Sequence, residues 1–225
     1  MSIKRTEKVK CPYCGKKQKF TVWDSINTAI NPEMKDAVRD DSAFTLTCTR
    51  CGKESPVDYE FLYHQMEDNL MIYYFHDVET AARVLNSDVL REAGFEKYHY
   101  LLRTVTSLEG FQEKLRIFDE GLDDRLIELY KAICACVYIE KNYPNVREVE
   151  TLFRGTDQDV ILLDTKTHMP IASCNFDMST YKTIQEKYLS KLPDIREDAP
   201  IIDENYAMTF FNNLSDDEKV CLQKD

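Results

Sequence analysis

Glycine is scarce, at six in 225 residues, and none of the six builds a Gly-rich phosphate loop, a Walker sequence or a dinucleotide fingerprint. A Gly-x-Ser-x-Gly elbow and a His-Glu-x-x-His signature are absent as well. What these absences leave to enzyme chemistry is an active site assembled from dispersed residues. No apolar run approaches the ~18 residues that span a bilayer, and Met1-Ser2-Ile3-Lys4-Arg5 leads into charge without the apolar core of a signal peptide. The chain therefore reads as cytosolic. In a reducing compartment its eight cysteines do not read as a disulfide framework. Internal repeats and low-complexity segments are missing too.

What is present is an uneven distribution of charge. The net charge is -11. Within residues 1–20, Lys4, Arg5, Lys8, Lys10, Lys16, Lys17 and Lys19 face Glu7 alone, a surplus of six that leaves -17 for the remainder. An acidic body disfavours wrapping nucleic acid, while a basic arm can still touch phosphate. Apolar content of 43% is ordinary for a protein with a real core.

The pattern of residues predicts an α+β chain. Lys19–Ile26 alternates as a strand. Asn31-Pro32-Glu33 starts a short helix with Asn as cap, ending near Arg39. Phe44–Cys48, Ser55–Leu62 and Leu70–Phe75 read as strands. Asp77 caps a helix carrying Val78, Ala81, Ala82 and Leu85, and Tyr98–Val105 is a strand. Ser107 caps a helix with Leu108, Phe111, Leu115 and Phe118, closed by Gly121. Asp123 or Asp124 caps the longest helix, whose apolar stripe runs Leu126, Leu129, Tyr130, Ile133 and Val137. Val149–Arg154, Val160–Asp164 and Pro170–Phe176 form antiparallel strands, the last two joined at Thr165-Lys166-Thr167. Tyr181, Ile184, Tyr188 and Leu192 mark a helix, Pro193–Pro200 a linker, Asp203–Asn212 a terminal helix and 215–225 a frayed end. Residues 1–76 are expected as one domain and 77–225 as a second.

The strongest signal is a repeated Cys-x-x-Cys-Gly, at Cys11, Cys14 and Gly15 and again at Cys48, Cys51 and Gly52. Two knuckles supply four thiolates, the tetrahedral set that a structural zinc prefers, and leave no open position for catalysis. Glycine after each pair permits positive φ, which lets backbone N–H groups turn toward sulfur. The intervening residues 15–47 exceed the usual ribbon spacing of ~15–20, and the Asn31–Arg39 helix accounts for the excess. Rubredoxin-like iron uses similar knuckles and is the alternative metal. One Zn2+ per chain, held by Cys11, Cys14, Cys48 and Cys51 in a zinc ribbon with a helical insert, is the expectation.

Around these knuckles further stretches occur in order: Asp24-Ser25-Ile26-Asn27, Asn31-Pro32-Glu33-Met34-Lys35, Leu62-Tyr63-His64, Leu115-Arg116-Ile117-Phe118 and Gly121-Leu122-Asp123-Asp124-Arg125. With Cys11-Pro12-Tyr13-Cys14-Gly15 they resemble the bacterial CpXC-domain family over roughly residues 9–130. The resemblance implies zinc ligation by the four cysteines and a bacterial cytosolic setting, and it carries no activity with it. Such proteins often continue Tyr-His with Asp, where this chain has Gln65.

Other candidates have plainer readings beside them. His64 and His76, near Glu67, Asp68 and Asp77, offer acid–base chemistry or hydrogen-bonded structure. His99 and His168 have no partner by spacing. Asp119, Glu120, Asp123 and Asp124 offer oxygen ligands, but helix capping explains them with less machinery. Cys134 and Cys136 diverge by about 200° on a helix, so they cannot chelate together; at least one of them, and Cys174, reads as a small hydrophobe. The expected role is that of a protein-interaction or adaptor module with no catalytic residues. Its alternative is nucleic-acid binding through Lys8, Lys10, Lys16, Lys17 and Lys19, with Tyr13, Phe20 and Trp23 as stacking faces.

Overall fold

The computed structural model describes residues 1–85, 99–157, 159–193 and 200–214. The fold is α+β, and the chain divides into two compact units, one of residues 1–112 with 195–200, the other of 113–194 with 201–225. The expected strand at Tyr98, most of the Pro193–Pro200 linker and the frayed end at 215–225 lie wholly or partly outside the described residues.

The first unit is built on a five-stranded sheet of order β1-β2-β5-β6-β7. Its strands are β1 (Ile3–Lys10), β2 (Lys17–Asn27), β5 (Phe61–Gln65), β6 (Leu70–Tyr74) and β7 (Leu101–Val105). β1 and β2 are antiparallel, β2 and β5 parallel, β5 and β6 antiparallel, β6 and β7 parallel. Every residue of β6 is buried, as expected of an apolar run flanked by strands and covered on both faces. On one face Phe61 sits 4.9 Å from Phe111 and 5.1 Å from Phe44, and Tyr63 sits 5.5 Å from Phe111. On the other, Met71, Tyr73, Tyr100 and Leu102 make a second cluster. Helix α1 (Glu33–Arg39) buries Met34 and Val38. Its Asn31 does not cap it; the Asn31 amide donates instead to the Glu33 carboxylate at 2.9 Å. Helix α2 (Val78–Leu85) is capped by Asp77, which accepts from the Thr80 N–H at 2.6 Å.

The expected strand Ser55–Leu62 is two strands. β4 (Glu54–Pro56) turns back on β3 (Thr45–Thr47) as a separate two-stranded sheet, and the chain then crosses Val57–Glu60 to enter the large sheet at Phe61. The cross-strand bonding runs one residue past Pro56, where the Val57 N–H donates to the Phe44 carbonyl at 2.7 Å.

In the second unit a three-stranded antiparallel sheet, β10 (Pro170–Asn175), β9 (Asp159–Leu163) and β8 (Glu150–Phe153), packs with helix α4 (Asp124–Asn142). Helices α5 (Met178–Tyr188) and α6 (Glu204–Asn212) pack on α4. The core joins Ile117, Leu126, Leu129 and Tyr130 to Phe153, Val160, Phe176, Tyr181 and Tyr188. Asp123 caps α4 through the Arg125 N–H, and Asp177 caps α5 through the N–H groups of Ser179 and Thr180. The unit division falls within helix α3 (Leu108–Asp119), where Ser107 caps through the Gly110 N–H at 2.9 Å and Gly121 follows at φ +69°. Along α4 the stripe expected to end at Val137 stops earlier, for Val137 is exposed.

A candidate metal centre

The turn of the β1–β2 hairpin is the first knuckle and the turn of the β3–β4 hairpin is the second. They are built alike. Cys11 N–H donates to the Lys16 carbonyl and Cys48 N–H to the Lys53 carbonyl, both at 2.9 Å; Gly15 N–H donates to Cys11 O at 3.0 Å and Gly52 N–H to Cys48 O at 2.9 Å. Closing each turn needs φ of +73° at Gly15 and +68° at Gly52, a conformation that any side chain strains. The duplicated Cys-x-x-Cys-Gly is thus one backbone device made twice.

The two devices face each other. Cys11 Sγ lies 3.8 Å from Cys51 Sγ, and Cys14 Sγ 3.5 Å from Cys48 Sγ. All four sulfurs lie within 4.8 Å of one another, a group that can hold a metal ion. A tetrahedron with metal–sulfur bonds of ~2.3 Å has edges of about 3.8 Å, so the closest pairs already have the separation of tetrahedral ligands. The Arg50 N–H points at Cys48 Sγ at 3.4 Å. Backbone donors from Cys51 and Arg50 pull the Cys48 thiol down to about 6. The Lys16 N–H acts in the same sense on Cys14, but desolvation and the neighbouring thiols prevail there and push it up to about 11. Of these two thiols Cys48 therefore ionises before Cys14, as expected where acids crowd a small volume. The donor set suits a soft or borderline divalent ion.

Sequence reasoning did not single out Gln18. From β2 its amide donates to the Thr47 carbonyl at 2.8 Å and accepts from the Thr49 N–H at 2.9 Å. It straddles Cys48 and ties the second knuckle to the first hairpin. Strand β1 was also missed: its residues, read as an arm, pair with β2 along their whole length.

The other candidates scatter. His64 is half-buried between the Asn27 amide at 3.3 Å and the Tyr100 hydroxyl at 2.8 Å, and burial lowers its pKa. His76 sits 3.4 Å from Asp58 and 3.6 Å from Glu60. Glu67 binds Thr28 and Lys35. His168 meets Glu150 at 2.9 Å, and His99 has a positive φ of 52°. The acidic group around Gly121 divides: Glu120 accepts from Thr156 N–H, Asp123 caps α4, and Asp124 is buried 3.3 Å from Lys114. Of the three aromatics offered for stacking, Tyr13 is 57% exposed, Trp23 is buried and Phe20 packs at 6.3 Å from Tyr59. Among the described residues no helix is long and apolar enough to cross a membrane.

No curated protein and no solved structure matches the chain. The model of the CpXC protein family matches residues 9–131, more than half of the chain and both knuckles, and the chain belongs to the CpXC family.

Proposed function

We propose that the chain is a cytosolic binding module. Its Cys11, Cys14, Cys48 and Cys51 hold one structural Zn2+ in a zinc ribbon, and the hairpin carrying the first knuckle docks on single-stranded nucleic acid. Four thiolates fill the zinc coordination sphere, so the ion would contribute folding energy rather than a reactive water.

The observation that carries the docking reading is the register of β1 and β2. Lys8 lies opposite Lys19, and Lys10 opposite Lys17. With Thr6 and Thr21 they line one exposed face of the hairpin. Like charges directly opposite one another destabilise a ladder, and among the described residues none of the four makes an ion pair. On the other face Arg5 is neutralised by Glu7, at 2.8 Å, and by Asp24. Charged side chains do guard exposed strand edges, but alternating signs would guard them equally well. Four unpaired lysines are better explained by an anion of regular spacing. Tyr13, exposed at the tip with the Lys53 ammonium 4.7 Å from its ring centroid, adds a face on which a base can stack. Lys16 and Lys53, one per knuckle, balance the charge of -2 on a zinc with four thiolates.

Binding of labelled single- and double-stranded oligonucleotides across a salt series tests this. Four phosphate contacts give a log–log salt slope of roughly -3. The double variant Lys17→Glu/Lys19→Glu turns both like-charged pairs into opposite-charged ones, so the hairpin gains stability while the binding disappears. A variant that binds as well as wild type sinks the reading. Failure of the wild type to bind at low salt transfers the face to an acidic protein partner, the adaptor role.

A further inference from the structure

The two knuckles face each other, but they do not stand on equal footings. The first turns between β1 and β2, which pair along the whole of β1, and β2 runs on to pair with β5 in the large sheet. The second turns between β3 and β4, three residues each, in a sheet that no third strand joins. A hairpin of that size is marginal in water without further support. Its base has that support: Leu46 is buried, Phe44 stacks 5.1 Å from Phe61, and the Tyr59 hydroxyl donates to the Ala43 carbonyl at 2.9 Å. Its tip, where Cys48 sits, is bound to the first hairpin by Gln18. Side chains alternate along a strand, so Lys17 and Lys19 leave β2 on one side and Gln18 on the other. There the Gln18 amide brackets Cys48. Its Nε2 donates to the Thr47 carbonyl at 2.8 Å, and its Oε1 accepts from the Thr49 N–H at 2.9 Å and the Thr49 hydroxyl at 3.3 Å. One side chain thus offers the donor and the acceptor that a neighbouring strand would offer. Among the described residues no other hydrogen bond joins β2 to residues 45–56. The contact of Lys53 with the Tyr13 ring also crosses between the knuckles, but it joins two exposed side chains.

We propose that Gln18 is the latch of the metal centre. The second knuckle is the jaw that swings aside when metal is released, and the Gln18 bracket sets how often it does so. The inference rests on the four-thiolate reading of the site and extends it to the route and rate of metal exchange. Gln18 is a positioning residue: it acts through the Thr47–Thr49 backbone on Cys48. The swinging jaw keeps its own turn intact, because the bonds from Cys48 N–H to Lys53 O and from Gly52 N–H to Cys48 O lie within it. What the motion has to break is the bracket. Cys11 and Cys14 stay in place on the longer hairpin. Partners standing behind metal ligands commonly change metal affinity 10–100-fold when removed, and here the change falls on release, since the bracket is lost only as the jaw opens.

The zinc-loaded full chain and Gln18→Met, which keeps the length of the side chain and removes its amide, test this in two ways. Zinc transfer to a chelator, followed where the rate no longer depends on chelator concentration, should be about 10–100-fold faster from the variant. Limiting N-ethylmaleimide with peptide mass mapping reads which jaw opens. Cys11 and Cys48 are buried alike, at 1% and 2% exposure, so their relative modification reports opening rather than static access. Cys48 should react ahead of Cys11 in the wild type, a comparison that needs no variant, and Gln18→Met should accelerate Cys48 alone. Equal acceleration of both cysteines would make Gln18 an ordinary stabilising contact and overturn the latch. Cys11 reacting ahead of Cys48 in the wild type would put the moving jaw at the first knuckle and overturn it too. Bound zinc with an unchanged transfer rate sinks the latch alone, whereas a wild-type chain that takes up no zinc sinks the four-thiolate reading and the latch together.

Discussion

Each unit of the molecule gathers ionisable groups at one place, and each deals with them differently. In the first unit, four thiols converge, and once ionised they need a cation from outside to compensate most of their charge. In the second, Glu113, Lys114, Asp124, Glu128 and Lys131 are all buried at 5% exposure or less and compensate one another. Lys114 sits 3.3 Å from Asp124 and 3.2 Å from Glu128; Lys131 sits 2.9 Å from Glu113 and 3.0 Å from Glu128. Glu113 also accepts from the Phe153 N–H at 2.6 Å, tying α3 to β8. One unit depends on its environment for charge balance, while the other carries all but one charge of that balance within its own side chains.

The comparison breaks most sharply when the metal is taken away. Zinc-finger peptides draw about 10–16 kcal/mol of apparent folding energy from zinc at pH 7. Chelation, or Cys48→Ser, should therefore unfold the two knuckles and lower stability more than any surface change. The two changes should leave the second unit's amides protected. Hydrogen exchange on the metal-loaded and chelated chain reads this by segment. Unaltered metal content in Cys48→Ser would reject the ligand assignment.

Lys131→Met is the corresponding lesion in the second unit. It leaves Glu113 and Glu128 buried with one cation between them, and breaking a buried pair in this way costs about 3–5 kcal/mol. Urea denaturation should show the loss, with metal affinity of the knuckles unchanged. A shift below about 0.5 kcal/mol, the range of ordinary surface substitutions, would show that the network is not holding α3 and α4 together.

The same contrast explains what could be read in advance. The knuckles were legible because a metal site made of adjacent residues repeats itself in the sequence, down to Gly15 and Gly52. Helix caps at Asp77, Ser107, Asp123 and Asp177 are equally local, and all but Asp177 were read beforehand. The ion network was not legible, since Glu113, Lys114 and Lys131 look like the solvent face of amphipathic helices until the partner helix is in place. Strand β1 hid for a different reason. Almost all of its residues are exposed, so it lacks the apolar alternation that marks a half-buried strand.

The smallest effect concerns the surplus charge within the network. Three carboxylates face two ammonium groups, and burial raises the pKa of Glu113 while the acids around Lys131 outweigh its own desolvation and raise that of the ammonium. For a carboxyl whose folded pKa exceeds the unfolded value of 4.5, the native state binds the extra proton between the two values. Its contribution to stability therefore grows as pH falls from the folded pKa toward 4.5, by at most about 1.4 kcal/mol per pH unit. Glu113→Gln removes both the surplus charge and the titration, while its amide oxygen can still accept from Phe153. Urea midpoints at several pH values between 4.5 and 7 should show wild type gaining on Glu113→Gln as the solution is acidified. Parallel curves would mean that Glu113 stays ionised and that the network tolerates its extra negative charge, with Lys114 and Lys131 shared among three carboxylates.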